Sequence, residues 1–158
     1  MKKCFLTALL VLLLIIACAE QNTPEQVVRD YYTAMDNEDI ELYMSTVSGP
    51  RADVAGEHLA KFFADYDISY TVDTLALLSK VGNEAQVLCV VTAMDEGGPK
   101  KFTSNRISVL NMIRKNGGRW TVYDAEVSKP IKLDEQGNPI GEPAKKDSLL
   151  WKLTLPAS

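Results

Sequence analysis

The chain is 158 residues long, with 17 basic against 21 acidic side chains and a formal net charge of −4. That length suits one domain, and an acidic balance argues against nucleic-acid binding, which wants a basic stripe. Three cysteines, Cys4, Cys18 and Cys89, make no disulfide framework, so the core alone has to hold the domain.

The N-terminus reads KKCFLTALLVLLLIIACAEQ. Residues 5–17 form an apolar run broken only by Thr7. As a helix it spans about 20 Å, short of the ~30 Å hydrocarbon core of a bilayer. A positive start, an apolar middle and small residues at the end are the layout of a secretory signal. Ile15-Ile16-Ala17-Cys18 resembles the bacterial lipobox, in which cleavage falls between Ala17 and Cys18. The new N-terminal cysteine then carries lipid on its sulfur and its amine. The competing reading is a signal cleaved nearby, with Cys18 a bystander. Each buried methylene contributes ~0.8 kcal/mol and stable attachment takes about two chains, which a diacylglyceryl cysteine supplies.

The lipobox resemblance implies a lipid-anchored, extracytoplasmic protein of the bacterial cell envelope. Ala19, where an Asp would be a retention signal, favours the outer membrane in a Gram-negative cell. Residues 1–17 are then the signal peptide, and Cys4 leaves with them. Residues 18–22 are a short tether; the four after Cys18 reach about 14 Å at most, so the folded domain sits close to the bilayer. The remaining 141 residues carry 15 basic and 21 acidic side chains, a net −6. That offers no polybasic patch to anionic lipid heads; the lipid, not the charge, does the holding.

TPEQVVRDYYTAM opens a helix. Thr23 caps it, Pro24 suits the first helical position, and Gln26 completes a capping box. Val27, Tyr31 and Met35 recur at four-residue spacing, with Val28 and Tyr32 alongside. Asp36 or Asn37 is the expected cap of a second helix, with Ile40, Tyr43, Met44 and Val47 on one stripe and Gly49-Pro50 stopping it. A third helix, about residues 51–65, carries Leu59, Phe62 and Phe63, with Tyr66 closing the stripe.

The hydrophobic period then changes from 3.6 to 2. ISYTVDTLALLSKV alternates, but its phase slips near Asp73-Thr74, which predicts a bulge. Gly82-Asn83 turns the chain into EAQVLCVVTAM, where apolar neighbours predict that Cys89 is a buried core residue. EGGPKK is a turn, FTSNRISVLNMI a third strand, KNGGR a hairpin and WTVYDAEV a fourth strand. Both faces of the later strands carry apolar residues. One face packs on the helices; the other needs cover from the tail, a partner or a second copy. In the tail, DEQGNP is turn chemistry, a Pro-rich loop follows, and SLLWKLTL alternates as a possible fifth strand.

Three amphipathic helices followed by a curved antiparallel meander resemble the nuclear transport factor 2-like superfamily, of the SnoaL and ketosteroid isomerase type. The resemblance rests on Pro24, Tyr31, Ala34, Asp36-Asn37, Asp39 and Ile40 in order, and on RWTVYDAEV as the last strand. It spans residues 23–128, leaving 129–158 as a C-terminal extension. It implies an α+β fold, three N-terminal helices packed on a curved four- to five-stranded antiparallel sheet in the shape of a cone. Small bacterial lipoproteins of this superfamily share the lipobox and the TPE start.

The superfamily holds both enzymes and non-catalytic binding domains, so the residues have to choose. Tyr31 falls where the isomerases carry an oxyanion-hole tyrosine. That chemistry also needs a carboxylate base, and the corresponding segment, SGPRADVAGEHL, offers only Asp53, which starts a helical turn. Tyr31 therefore reads as a core aromatic. Hydrolase chemistry in this fold uses an Asp-Arg-Asp set, for which Asp73, Asp95, Arg106 and Asp124 are the available parts. Pairing strands three and four across the Gly pair sets Leu110 near Asp124 and Ser108 near Glu126, with Arg106 in reach of Glu126 as a surface ion pair. His58 is the only histidine and makes no metal site of usual spacing; it reads as a helix-flank residue.

Nothing in the sequence calls for a metal or a cofactor. The leading expectation is a membrane-anchored, non-catalytic domain holding a small apolar ligand or a peptide in the mouth of the cone, between helix one, helix three and the sheet. Its lining candidates are Tyr31, Phe62 and Tyr70, and with them His58 and Arg106. A protein partner or second copy on the open sheet face belongs to the same class. The rivals are an isomerase or dehydratase of a small hydrophobic molecule, and a purely structural envelope protein.

Overall fold

A computed structural model describes residues 22–141. The signal and lipidation assignments at residues 1–21, and the strand expected in SLLWKLTL, lie outside that range.

Three helices come first. In α1 (Pro24–Asp36) the Thr23 hydroxyl accepts the Gln26 N–H at 3.1 Å. The Gln26 side chain does not return to Thr23; it donates to Asp30 at 2.8 Å, so the capping box is only half formed. The cap of α2 (Ile40–Thr46) is Asp39, which accepts the Leu42 N–H at 2.9 Å, and not Asp36 or Asn37. Those two residues end α1 instead. Asp36 spends its carboxylate on the Tyr70 N–H at 2.7 Å, tying α1 to the sheet. α3 (Pro50–Asp65) follows Gly49, whose φ of 61° suits a residue without a side chain.

The sheet is an antiparallel meander: β1 (Ile68–Val81), β2 (Glu84–Asp95), β3 (Asn105–Asn116) and β4 (Arg119–Val127), in that order. A two-residue β5 (Ile131–Lys132) pairs with the start of β3. The helices pack against this curled sheet, giving the α+β cone implied by the sequence. The phase slip in β1 is a register shift between Val72 and Thr74; a second, between Leu77 and Ser79, has no counterpart in the pattern reading.

The β3–β4 register differs by two residues from the expected one. Leu110 lies opposite Glu126, and Met112 opposite Asp124. Half of the offset arises at the turn, where Asn116 pairs Arg119 around Gly117-Gly118; the other half is a shift next to Met112/Ile113. The two glycines take φ of 57° and 86°, as a hairpin with both central residues left-handed requires.

The helix-facing side of the sheet forms the main core. Val87, Cys89, Val91, Val109, Ile113, Trp120 and Val122 meet Val27, Val28 and Tyr32 of α1. A second cluster lies among the helices, built on Ala34, Tyr43, Val47, Ala55 and Leu59. The outer side has its own small cluster, with Leu88 and Leu110 each 1% exposed and Leu78 and Met112 packed on them. Gly98 lies against the α3–β1 junction. A Cβ there would come within 2.4 Å of the Asp67 nitrogen and 2.9 Å of the Tyr66 carbonyl carbon, so this glycine permits a backbone crossing rather than merely a turn.

Candidate functional site

A cavity of about 350 Å³ opens among the three helices. α1 contributes Tyr31 and Met35, one turn apart, and α2 contributes Tyr43. α3 contributes Arg51, Ala55, His58, Leu59 and Phe62, spaced three or four apart so that they share a helix face. The walls are apolar at Met35, Ala55, Leu59 and Phe62. The polar groups are the Tyr31 and Tyr43 phenols, the Arg51 guanidinium and the His58 imidazole; among the described residues no carboxylate lines the cavity.

Tyr31 is the centre of this arrangement. Its ring lies 5.0 Å from that of Tyr43 and 5.0 Å from that of Tyr32, edge-on at 80°. Burial pushes its phenol far above the usual tyrosine range; the neighbouring Tyr43 adds to the rise and Arg51 opposes it. The neutral hydroxyl is therefore held as a hydrogen-bond donor at any physiological pH. Arg51 stands apart from the ion pairs found among the described residues, which are Lys100–Asp65 at 2.7 Å, Arg106–Asp73 at 3.3 Å and Arg114–Glu84 at 3.1 Å.

The cavity is not the mouth of the cone. The interior between α1 and the sheet is filled by side chains that satisfy one another. Cys89, 1% exposed, lies 3.8 Å from the Tyr32 hydroxyl and receives a hydrogen bond from the Asn111 amide at 3.3 Å. Asn111 also donates to the Val87 carbonyl at 3.3 Å. Burial pushes the Cys89 thiol up, against the lowering by these hydrogen bonds, so it is a packed, unreactive thiol. α2 takes the place that the sheet was expected to occupy in the lining.

Of the residues singled out in the sequence, Tyr31, His58 and Phe62 meet in the cavity, with His58 exposed on α3. Tyr70 and Arg106 lie elsewhere. Tyr70 packs at the edge of the core, 6.4 Å from the Tyr32 ring, and its phenol is pushed up to about 12 by burial and then by Asp36. Arg106 donates to Thr92 Oγ1 at 3.0 Å and pairs with Asp73, which accepts from the same threonine hydroxyl at 2.6 Å. The register shift thus replaces the expected Arg106–Glu126 pair by one across β2. Asp95 accepts the Gly97 N–H and Asp124 the Ala125 N–H, so the four candidate parts of an Asp-Arg-Asp set do not converge.

Arg51 is the site residue that pattern reading passed over. Its signal was present: it stands four residues before Ala55 and seven before His58, on the stripe that carries Leu59 and Phe62. It also borders a second hollow of about 520 Å³ with Pro50, Tyr123 and Asp124. Among the described residues no His, Cys, Asp and Glu cluster is arranged to hold a metal ion, and no helix is long and apolar enough to cross a membrane.

Comparison with solved structures places the fold. A ketosteroid isomerase-like protein from Erwinia carotovora atroseptica superposes with a TM-score of 0.52 at 19% identity, over 73% of this chain and 98% of that one. A nuclear transport factor 2-like protein of unknown function from Pseudomonas putida gives 0.53 at 13% identity, over 76% and 92%. At such identities the likeness is one of fold alone. In sequence, the chain is 30% identical over 104 residues to the anti-sigma-I factor RsgI9 of Acetivibrio thermocellus, covering 65% of this chain and 15% of that protein. The family described as the C-terminal domain of anti-sigma-I factor RsgI9 matches residues 26–133, which is most of the described domain, and the chain belongs to that family.

Proposed function

We propose that the domain is a non-catalytic binding module, anchored through lipid on Cys18 at the outer side of a bacterial membrane, that holds a small ligand in the cavity between its helices. The observation that carries this reading is the cavity itself: largely apolar walls with a few polar groups directed into one hollow, the common build of small-molecule sites. It also disfavours an isomerase or dehydratase, because proton abstraction from carbon needs a positioned base and the lining, among the described residues, offers His58 but no carboxylate. A second copy docked on the outer sheet face is the competing binding mode; the burial of Leu88 and Leu110 there favours the cavity.

The family adds a second reading. The relative is an anti-sigma-I factor and this chain spans only 15% of it, so what passes to this chain is a regulatory setting: the domain reports an extracytoplasmic ligand to a partner.

Native mass spectrometry of the mature chain tests the binding reading. The expected result is a monomer carrying a small co-purified mass that Phe62→Ala removes. A ligand-free dimer would transfer the function to the sheet face. For the anchor, Cys18→Ala is expected to abolish palmitate labelling and release the chain from the membrane fraction; retention of both rejects it.

A further inference from the structure

We infer that the cavity selects ligands bearing an acidic group on an apolar body, with Arg51 as the group that recognises the acid. The inference rests on the binding reading above and names the chemistry of its ligand.

Among the described residues Arg51 is the one permanently charged side chain in the lining, and none of the lining side chains is a carboxylate. Among the described residues none of the ion pairs uses it. Arg51 also borders the neighbouring hollow together with Asp124, whose carboxylate accepts the Ala125 N–H at 2.8 Å and is in none of the ion pairs found among the described residues. A half-buried guanidinium beside apolar walls has lost part of its hydration without gaining an anion. Its planar fork fits a carboxylate bidentately.

The groups around it fit the same ligand. Tyr31 and Tyr43 are hydrogen-bonded to each other, which leaves one hydroxyl hydrogen of the pair for a ligand, and the Tyr31 phenol stays neutral. Met35, Leu59 and Phe62 supply the apolar surface for the rest of the molecule. A neutral ligand of the same shape keeps the apolar contacts but leaves the guanidinium with the Tyr31 hydroxyl as its partner and no counter-charge, which is the source of discrimination.

The test compares two probes of one ring system, 2-naphthoate and 2-naphthylmethanol, titrated into the mature chain and followed by protein NMR shifts. The acid is expected to bind about tenfold more tightly than the alcohol. Arg51→Gln should bring the acid to within about twofold of the alcohol and leave the alcohol unchanged. Arg51→Lys should restore part of the preference, since it keeps the charge and loses the fork. Phe62→Ala should weaken both probes alike. Equal binding of the two probes to the native chain overturns acid selection and leaves the binding reading standing, as does an Arg51→Gln chain that keeps the preference. A folded native chain that binds neither probe at millimolar concentration overturns both.

Discussion

Tyr31 and Tyr32 are adjacent in sequence, and their rings touch at 80°, yet they serve different halves of the molecule. Tyr32 points to the sheet, where it meets Cys89 and Tyr70 and helps to fill the cone. Tyr31 points among the helices and lines the cavity with Tyr43 and Arg51. On the sheet side, polar atoms are spent on one another and the interior is closed. On the helix side, a guanidinium, an imidazole and two phenols surround an open hollow. Adjacent helical residues diverge by about 100°, which is enough to put one ring in the core and the next in a site. A single helix thus builds both stability and recognition, and the two are separable by mutation.

Breaking the core half carries the largest expected effect. Ile113 is 0% exposed, and Ile113→Ala should cost about 2–5 kcal/mol, read as a fall in urea midpoint. Phe62→Ala, on the half-buried cavity wall, should cost less than half as much while removing ligand binding. Equal losses at the two sites would show that the halves are not energetically distinct. Gly98→Ala comes next. It forces a Cβ onto backbone atoms of Tyr66 and Asp67, and about 1–3 kcal/mol is expected from such overpacking, with no change in ligand affinity because none of these residues lines the cavity.

Alkaline titration bears on both halves at once. Tyr31, Tyr32 and Tyr70 all have folded-state values raised above 10.0 by burial. Above that value the unfolded chain releases phenolic protons that the folded chain keeps, so the unfolded state binds fewer protons and stability falls as pH rises. The melting temperature should stay level from pH 7 to 9, as far as these groups govern it, and drop from about 10 to 12. Phenolate absorbance at 295 nm should lag for these three rings until unfolding. A ring that titrates early is not sealed as its surroundings require. The smallest effect is expected outside both halves. The Arg114–Glu84 pair is 52% and 63% exposed, and Arg114→Gln should change stability by no more than about 0.5 kcal/mol.

The order of elements was legible in the sequence because period, cap and turn chemistry agree there. Thr23-Pro24 opens a helix, and the apolar phase slip at Asp73 marks a real bulge. Legibility failed where one residue had competing uses. Asp36 has the chemistry of an N-cap, but Tyr70 offers its N–H from 34 residues away, and a cap three residues later serves α2. The β3–β4 register failed through two one-residue offsets, neither visible in local alternation, and Arg106 changed partner with it. Gly98 resembled an ordinary turn glycine because the backbone it touches is remote in sequence. In the cavity, the aromatic members were readable as apolar stripes. Arg51 was not, because a charged residue in the first turn of a helix ordinarily faces water.

One hydrogen bond at the margin of the fold has a mechanical consequence. The Asn22 side chain accepts the Trp120 N–H at 2.6 Å, two residues before α1 begins. The Trp120 ring is flanked by the Lys80 and Lys115 ammonium groups, and the Lys115 N–H bonds Asn83 at 2.8 Å. The incoming chain is thereby clamped where the two hairpin turns come together. A pull applied ahead of residue 22 is delivered to the sheet before it reaches the first turn of α1. The joint acts as strain relief, like the clamp on a cable, set between the chain's entry at residue 22 and the helix-walled hollow.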